Sequence, residues 1–212
     1  MKRSTLILLK TLVWLACLSP VAVLVYGAVT PNGLGPDPTA KITFSTGYTT
    51  LMLLTISLAV TPVRRLSPRL AWLVKFRRLL GLFAFFYATL HLLTYIALYA
   101  GFNVHAMLDD IAKRRFITMG VAAWLLLLPL ALTSTNWAIR KLGGKRWNRL
   151  HRLVYLAAIC GIIHYWWQVK SGVLTPMRFT VVLAILLLAR PVYGWLQRRK
   201  SDKPKLPVTV SS

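Results

Sequence analysis

Long apolar segments alternate with short polar connections along the whole chain. Six segments approach the roughly 20 residues needed to cross a bilayer as a helix, and they occupy residues 6–29, 44–63, 79–100, 116–134, 150–167 and 176–196. We therefore predict an all-α integral membrane bundle of six transmembrane helices, with residues 1–200 as one membrane domain. The first segment is too long for a signal peptide and lacks a clear cleavage site, so we predict a retained helix. Residues 201–212 are predicted to be a disordered cytoplasmic tail.

Basic residues predict the orientation of this bundle. The chain has 27 Lys and Arg against four acids, a net charge of +23. Twenty-one of the 27 bases lie at the termini or after the second and fourth segments, so the positive-inside rule places both termini in the cytoplasm. Topology and anionic membrane lipid account for this charge, and no nucleic-acid partner is expected. The outer connection at residues 101–115 is predicted to form a short interfacial helix.

Composition and missing motifs exclude several functional classes. Hydrophobic residues make up 57% of the chain and the mean hydropathy is +0.60, which excludes an ordinary soluble domain. The sequence has no Walker loop, no GxGxxG motif before a helix and no acid inside a predicted span, so phosphoryl transfer, a Rossmann site and a proton-driven carrier have no support. Cys17 and Cys160 lie in apolar segments without a CxxC motif and are interpreted as small buried hydrophobic residues.

Three histidines lie in predicted spans, where an imidazole loses hydration and needs a partner. With the N-terminus inside, the third and fifth spans run in the same direction. His91 and His164 then lie roughly 2–3 Å and 8 Å outward of their span centres, a difference that helix tilt absorbs. Two imidazoles at matching depth predict a haem between the third and fifth spans, with His91 and His164 as axial iron ligands. Two such ligands leave no open iron position, which favours electron transfer. The remaining histidine, His105, is predicted to be solvated.

His151 lies at the opposite end of the fifth span. Thirteen helical residues separate it from His164, about 20 Å, so the two cannot ligate one metal ion. At the matching inner depth the third span offers Arg77 and Arg78 rather than an imidazole. Arginine does not normally ligate iron, but it pairs with a haem propionate or a phosphate. We therefore predict that His151, Arg77 and Arg78 bind a cofactor at the inner face.

Three motifs resemble a known family: NGLGPDP at residues 32–38, FRRLLGLFAFFYATLHLLTY at 76–95, and TSTNWAIRKLGGKRWNRLHRLVYLAAICGIIHY at 133–165. With the chain length and the order of the motifs, they resemble the ferric reductase-like transmembrane domains, and in particular the haem-binding membrane subunit of a bacterial methionine sulfoxide reductase. Relatives in that superfamily hold two stacked b haems between two helices that carry two histidines each. Here the fifth span has both His151 and His164, whereas the third has only His91. The resemblance thus implies one haem b at His91 and His164. His151 is left as a candidate ligand for a second haem with an unusual partner, or for another cofactor or a quinone.

The same resemblance implies a location, electron donors and an acceptor. The protein would lie in the bacterial inner membrane and take electrons from the respiratory quinone pool. A cytoplasmic flavin reductase is an additional candidate donor, and FMN is an additional candidate cofactor. The acceptor would be MsrP, a periplasmic molybdopterin enzyme that reduces methionine sulfoxide in oxidised envelope proteins. Substrate chemistry would then lie on the partner, and this chain would be an electron-transfer subunit.

Two other functional hypotheses remain beside a membrane b-type cytochrome. One is a haem-free anchor that tethers a periplasmic enzyme. The other is a self-sufficient ferric or quinone reductase that needs no partner. The depths of the histidines and the three motifs favour the cytochrome.

Overall fold

The structure is a computed structural model that describes residues 3–169 and 172–201, and this part of the chain contains helices and no strands. The prediction of an all-α protein is therefore confirmed for the described residues. A 3-10 helix, Pro68–Leu73, precedes α3, and a π-helical turn, Tyr95–Tyr99, follows it. The predicted tail lies outside the described residues from position 202 onward. The α-helices are α1 (Arg3–Val29), α2 (Pro38–Leu66), α3 (Val74–Thr94), α4 (Val104–Lys113), α5 (Arg115–Leu132), α6 (Asn136–Leu142), α7 (Gly144–Leu150), α8 (Leu153–Gln168) and α9 (Leu174–Ser201).

Five helical segments of the described chain are long and apolar enough to cross a membrane: Arg3–Val29, Pro38–Arg65, Pro68–Tyr99, Arg115–Leu132 and Leu174–Tyr193. They correspond to five of the six predicted spans. The remaining predicted span, at residues 150–167, corresponds to α8, which has only 16 residues. Its length of about 24 Å is less than the roughly 30 Å of a hydrocarbon core. The chain turns at His151 and Arg152, so the apolar helix begins at Leu153 rather than at residue 150. That α8 crosses the membrane therefore stays a prediction.

Side-chain caps determine where α2 and α4 begin. Asp37 accepts a hydrogen bond from the Ala40 amide over 2.9 Å, and Pro38 occupies the first helical turn, where its missing N–H costs nothing. The second span therefore begins six residues before the predicted boundary at residue 44. Asn103 likewise accepts from the Ala106 amide over 3.1 Å at the start of α4, and this confirms a short helix in the outer connection.

The centre of the bundle consists of two packed helix pairs, α2 with α3 and α5 with α8. Small residues allow close approach of these helices: Ala84 of α3 and Ala158 of α8 are both 0% exposed. By contrast, α1 and α9 lie at the periphery. They expose large aliphatic side chains, such as Val23 at 68% and Leu188 at 62%. Lipid tails would cover these side chains in a bilayer.

Tyr87 attaches α1 to the centre of the bundle. Its hydroxyl accepts a hydrogen bond from the Val21 amide over 3.1 Å and donates one to the Cys17 carbonyl over 2.7 Å. Cys17 and Val21 lie four residues apart on consecutive turns of α1, and Pro20 lies between them. The tyrosine is 0% exposed, so its hydroxyl makes both hydrogen bonds away from water, where an unpaired polar group would be costly.

Candidate functional site

His91 of α3 and His164 of α8 face each other across the interior of the bundle. Their ring centroids lie 5.9 Å apart, and the ring planes are nearly perpendicular at 84°. The sequence predicted that these two imidazoles lie at the same depth, and the structure places them together. The two helices share neighbours: α3 packs on α2 and α5, and α8 packs on α5 and α2, so His91 and His164 enter the same interior space from different helices.

Backbone carbonyl groups fix the orientation of both rings. His91 Nδ1 lies 3.0 Å from the Thr43 carbonyl oxygen and 3.3 Å from Thr46 Oγ1, and His164 Nδ1 lies 2.6 Å from the Phe116 carbonyl oxygen. A carbonyl oxygen can only accept, so each Nδ1 carries the proton and donates. Each Nε2 is then unprotonated and has its lone pair available. This is the arrangement that metal-binding histidines use.

Two glycines leave the space that the histidine rings occupy. A Cβ atom at Gly47 would lie 3.0 Å from His91 Cε1, and one at Gly120 would lie 2.8 Å from His164 Nδ1. Even an alanine at either position would press against an imidazole. Both glycines lie inside predicted spans, and this was the only sequence signal that could have marked them.

The histidines line a cavity of about 460 Å³ in the outer half of the bundle, a size typical of small-molecule and cofactor sites. Leu51, Ala157 and Gly161 belong to its largely apolar wall. The wall extends from Leu54 and Leu127 near the middle of α2 and α5 to Arg114 and Gln168 at the outer helix ends. The cavity is therefore deep enough to hold an apolar group against both imidazoles.

The residues present fit a haem better than a bare metal ion. Within the described residues, no group of three or more His, Cys, Asp or Glu could hold a metal ion. Two imidazoles leave a bare ion short of ligands, whereas a haem supplies the other four from its macrocycle. Two metal–imidazole bonds of about 2 Å, plus the distance from each nitrogen to its ring centre, give a centroid separation of about 6 Å. The 5.9 Å between His91 and His164 agrees with this value.

His151 lies apart from this cavity and has no imidazole partner in the described chain. Its Nε2 is 3.1 Å from Thr133 Oγ1, and its ring stacks on Trp147 with centroids 3.7 Å apart. Trp147 in turn donates its indole N–H to the Thr133 carbonyl over 2.8 Å. The conformation of His151 is thus determined by α7 and by the end of α5.

The two predicted arginines have different surroundings. Arg78 is exposed, and it donates to Asn136 Oδ1 over 2.6 Å. Arg77 is half-buried and close enough to His151 for its charge to act on the imidazole. Neither arginine lines the cavity of His91 and His164. The structure therefore separates the five predicted site residues into the histidine pair of the cavity and a second set, His151, Arg77 and Arg78, at the end predicted to lie inside, which we call the inner group.

The described acids lie away from the inner group. Within the described residues, the two ion pairs join Lys113 to Asp109 over 2.7 Å and Arg114 to Asp110 over 3.0 Å, both at the outer end of the bundle. No carboxylate in this part of the chain forms an ion pair with Arg77 or Arg78. His105, by contrast, is exposed on α4, as its predicted solvation requires.

Comparison with known proteins identifies the family. Residues 40–162 match the model of the ferric reductase like transmembrane component. The chain is 47% identical to the protein-methionine-sulfoxide reductase heme-binding subunit MsrQ of Herminiimonas arsenicoxydans, over 93% of this chain and 90% of that protein. It is 46% identical to MsrQ of Ralstonia nicotianae over 89% of this chain and 87% of that protein, and 46% identical to MsrQ of Rhodospirillum rubrum over 91% of each. Fold and matched segment define a ferric reductase-like membrane protein. Within that class, the chain belongs to the MsrQ family.

Proposed function

We propose that this chain is a membrane b-type cytochrome of the bacterial inner membrane. It passes electrons from the respiratory quinone pool to the periplasmic molybdopterin reductase MsrP, which repairs methionine sulfoxide in envelope proteins. The observation that carries the proposal is the facing pair of His91 and His164, in which each Nδ1 bonds a main-chain carbonyl and leaves Nε2 unprotonated. The names of the relatives as heme-binding subunits support it.

In this proposal His91 and His164 are the axial ligands of one haem b between the third and fifth spans. A bound haem supplies a reversible one-electron carrier. The Thr43 and Phe116 carbonyls hold each imidazole as the Nδ1–H tautomer and make it a stronger ligand. With His91 and His164 both holding the haem, no iron position would remain open for substrate, and the chemistry on methionine sulfoxide would take place on the partner.

The proposal includes six spans with both termini in the cytoplasm, and α8 is the fifth of them in chain order. The charge distribution supports this orientation. Of the 27 Lys and Arg, 21 lie at the termini or in the connections predicted to lie inside, among them Arg77 and Arg78. In that orientation His91 and His164 are close to the periplasmic face, where MsrP would accept electrons.

We assign electron entry to the inner group of His151, Arg77 and Arg78. Its two cations lack acidic partners in the described structure, so they suit an anion: a propionate of a second haem, or the phosphate of FMN. His151 offers a second haem an axial nitrogen if Thr133 gives up its hydrogen bond, and it offers a quinone a hydrogen-bond partner. A cytoplasmic flavin reductase is a further donor that could reach this face.

The proposed function predicts two successive electron-transfer steps through the purified chain, one into the haem and one out of it. In proteoliposomes a quinol should reduce the haem, and MsrP with methionine sulfoxide should reoxidise it. The double variant His91→Ala/His164→Ala should show neither step, whereas His105→Ala, on the exposed face of α4, should show both.

Two other outcomes would replace the proposal. A colourless, cofactor-free preparation that still binds MsrP would indicate a membrane anchor. Sustained reduction of a soluble acceptor without MsrP would indicate a self-sufficient ferric or quinone reductase. Either result would contradict an electron-transfer subunit that works through MsrP.

A further inference from the structure

Three residues at the outer mouth of the cavity form a connected polar group. Arg114 Nε lies 3.0 Å from Asp110 Oδ1, and the Tyr95 hydroxyl donates to the other carboxylate oxygen, Asp110 Oδ2, over 2.9 Å. Tyr95 is the first residue of the π-helical turn after α3, and Arg114 lies between α4 and α5. The carboxylate of Asp110 therefore joins three elements of the fold at one point.

Arg114 is the one formally charged residue among the described residues that line the cavity of His91 and His164. Tyr95 also lines this cavity, whereas Asp110 does not. The rest of the wall consists of neutral polar and apolar side chains. Among the described lining residues, Arg114 is therefore the side-chain cation with which an anionic group in this cavity can pair.

The Nε edge of the Arg114 guanidinium pairs with Asp110, and its two terminal nitrogens form no ion pair within the described residues. Its Nε faces Asp110, and no other acid in the described chain forms an ion pair with it. An arginine has five N–H donors, so both terminal nitrogens remain to bind a second anion. Asp110 thus fixes the direction of the side chain without occupying the two terminal nitrogens, which remain free to bind a carboxylate.

A haem b needs such a partner, because its two propionates lie on one edge of an otherwise apolar macrocycle. Placing a carboxylate in a low-dielectric cavity is costly unless a cation or several donors pair with it. The apolar part of the wall suits the macrocycle, and the outer mouth is the end that provides a cation. The propionate edge therefore has one favourable direction, toward Arg114.

We propose that Arg114 binds a propionate carboxylate of the haem held by His91 and His164, and that Asp110 and Tyr95 are positioning residues that aim its guanidinium into the cavity. This inference rests on the proposed function. It also sets the orientation of the haem, with its propionate edge toward the periplasmic face. An anionic lipid headgroup has similar chemistry, and the test below distinguishes it from a propionate.

The test compares haem b with its dimethyl ester, which has the same iron and macrocycle but no carboxylates. Apoprotein in neutral detergent is titrated with each porphyrin, and binding is followed by the Soret absorbance. The Arg114 side chain is 59% exposed, and an ion pair at such a site contributes up to about 1 kcal/mol, so Arg114→Gln should weaken the binding of haem b about threefold to fivefold. It should change the binding of the ester less than about twofold. Arg115→Gln is the matched control, because Arg115 is the next residue, is exposed and does not line the cavity.

A second readout is the reduction potential of the bound haem. A positive charge near the haem favours the reduced form, so Arg114→Gln should move the potential to a more negative value and Arg115→Gln should move it less. Arg114→Lys retains the charge without the fork. It should preserve most of the potential while losing part of the affinity.

Each contrary result has a distinct meaning. Equal loss of affinity for haem b and the ester, or no loss for haem b, overturns the assignment of Arg114. A difference between wild type and Arg114→Gln that appears only in vesicles with phosphatidylglycerol assigns Arg114 to a lipid headgroup and overturns it as well. If His91→Ala leaves the binding of both porphyrins unchanged, the proposed function fails. If His91→Ala abolishes binding but Arg114→Gln has no effect, only this inference fails.

Discussion

His164 donates a hydrogen bond from Nδ1 to the carbonyl oxygen of Phe116 over 2.6 Å. His91 makes a longer bond of 3.0 Å to the Thr43 carbonyl and has Thr46 Oγ1 as a second neighbour at 3.3 Å. The two imidazoles are therefore held by different acceptors, although they face one cavity. These acceptors determine both the direction of each ring and its strength as a ligand.

Gly120→Ala should displace the His164 ring, because the new Cβ would lie 2.8 Å from Nδ1. Overpacking of this kind typically costs about 1–3 kcal/mol, so haem affinity should fall about tenfold or more. Gly47→Ala, whose Cβ would lie 3.0 Å from His91 Cε1, should act in the same direction. The control is Gly81→Ala, since the nearest atom to its Cβ is Ser57 Oγ at 3.8 Å. A haem titration in which all three variants match wild type would contradict this view of the site.

Thr46→Val removes the hydroxyl near His91 Nδ1 and keeps the Thr43 carbonyl. With one acceptor fewer, His91 becomes a less basic ligand and stabilises oxidised iron less. The reduction potential of the haem should therefore shift to a more positive value while the haem is retained. Thr55→Val is the matched control, because Thr55 is buried on the same helix, binds the Leu51 carbonyl over 2.7 Å and does not line the cavity. A redox titration with equal potentials in Thr46→Val and wild type would show that Thr46 does not influence the reduction potential of the haem.

Tyr87→Phe should loosen α1 without changing the haem. The variant loses the two hydrogen bonds to Val21 and Cys17, and the free energy of unfolding should fall by about 1–2 kcal/mol. Tyr26→Phe is the control, because Tyr26 is 70% exposed and should change stability by less than about 0.5 kcal/mol. Reversible unfolding in mixed micelles measures both values. Equal stability of the two variants would show that the Tyr87 hydroxyl does not anchor α1.

His151→Ala should leave the haem of His91 and His164 in place, since His151 lies outside their cavity and packs on Trp147. A pyridine haemochrome assay against protein concentration should give at least half of the wild-type haem content. A value near half would assign His151 to a second haem, and an unchanged value would show that His151 holds no haem. Complete loss of haem would contradict the separation of the two sites.

The helices and the histidine pair could be predicted from the sequence for simple physical reasons. Apolar segments of bilayer length become helices, and residue counting along them gives the depth of His91 and His164. The short α8 was harder, because apolar composition does not show the turn at His151 and Arg152. That the two rings are ligands stays a proposal.

Other features of the site had no signal in residue type. The acceptors on Thr43 and Phe116 are main-chain carbonyls, which every residue has, so only the fold shows which ones meet an imidazole. Gly47 and Gly120 matter because of the ring that each one faces. Arg114 and Arg115 are adjacent bases at the end of the connection at residues 101–115, and only the cavity distinguishes the one from the other.

The haem content of three histidine variants tests the central claim most directly. His91→Ala and His164→Ala should each lose most of the haem bound per protein, with the loss of a low-spin spectrum, because each removes one of two axial ligands. His105→Ala, in which the histidine is exposed on α4, should retain it. Wild-type haem content and spectrum in both His91→Ala and His164→Ala would contradict the assignment of these two residues as ligands.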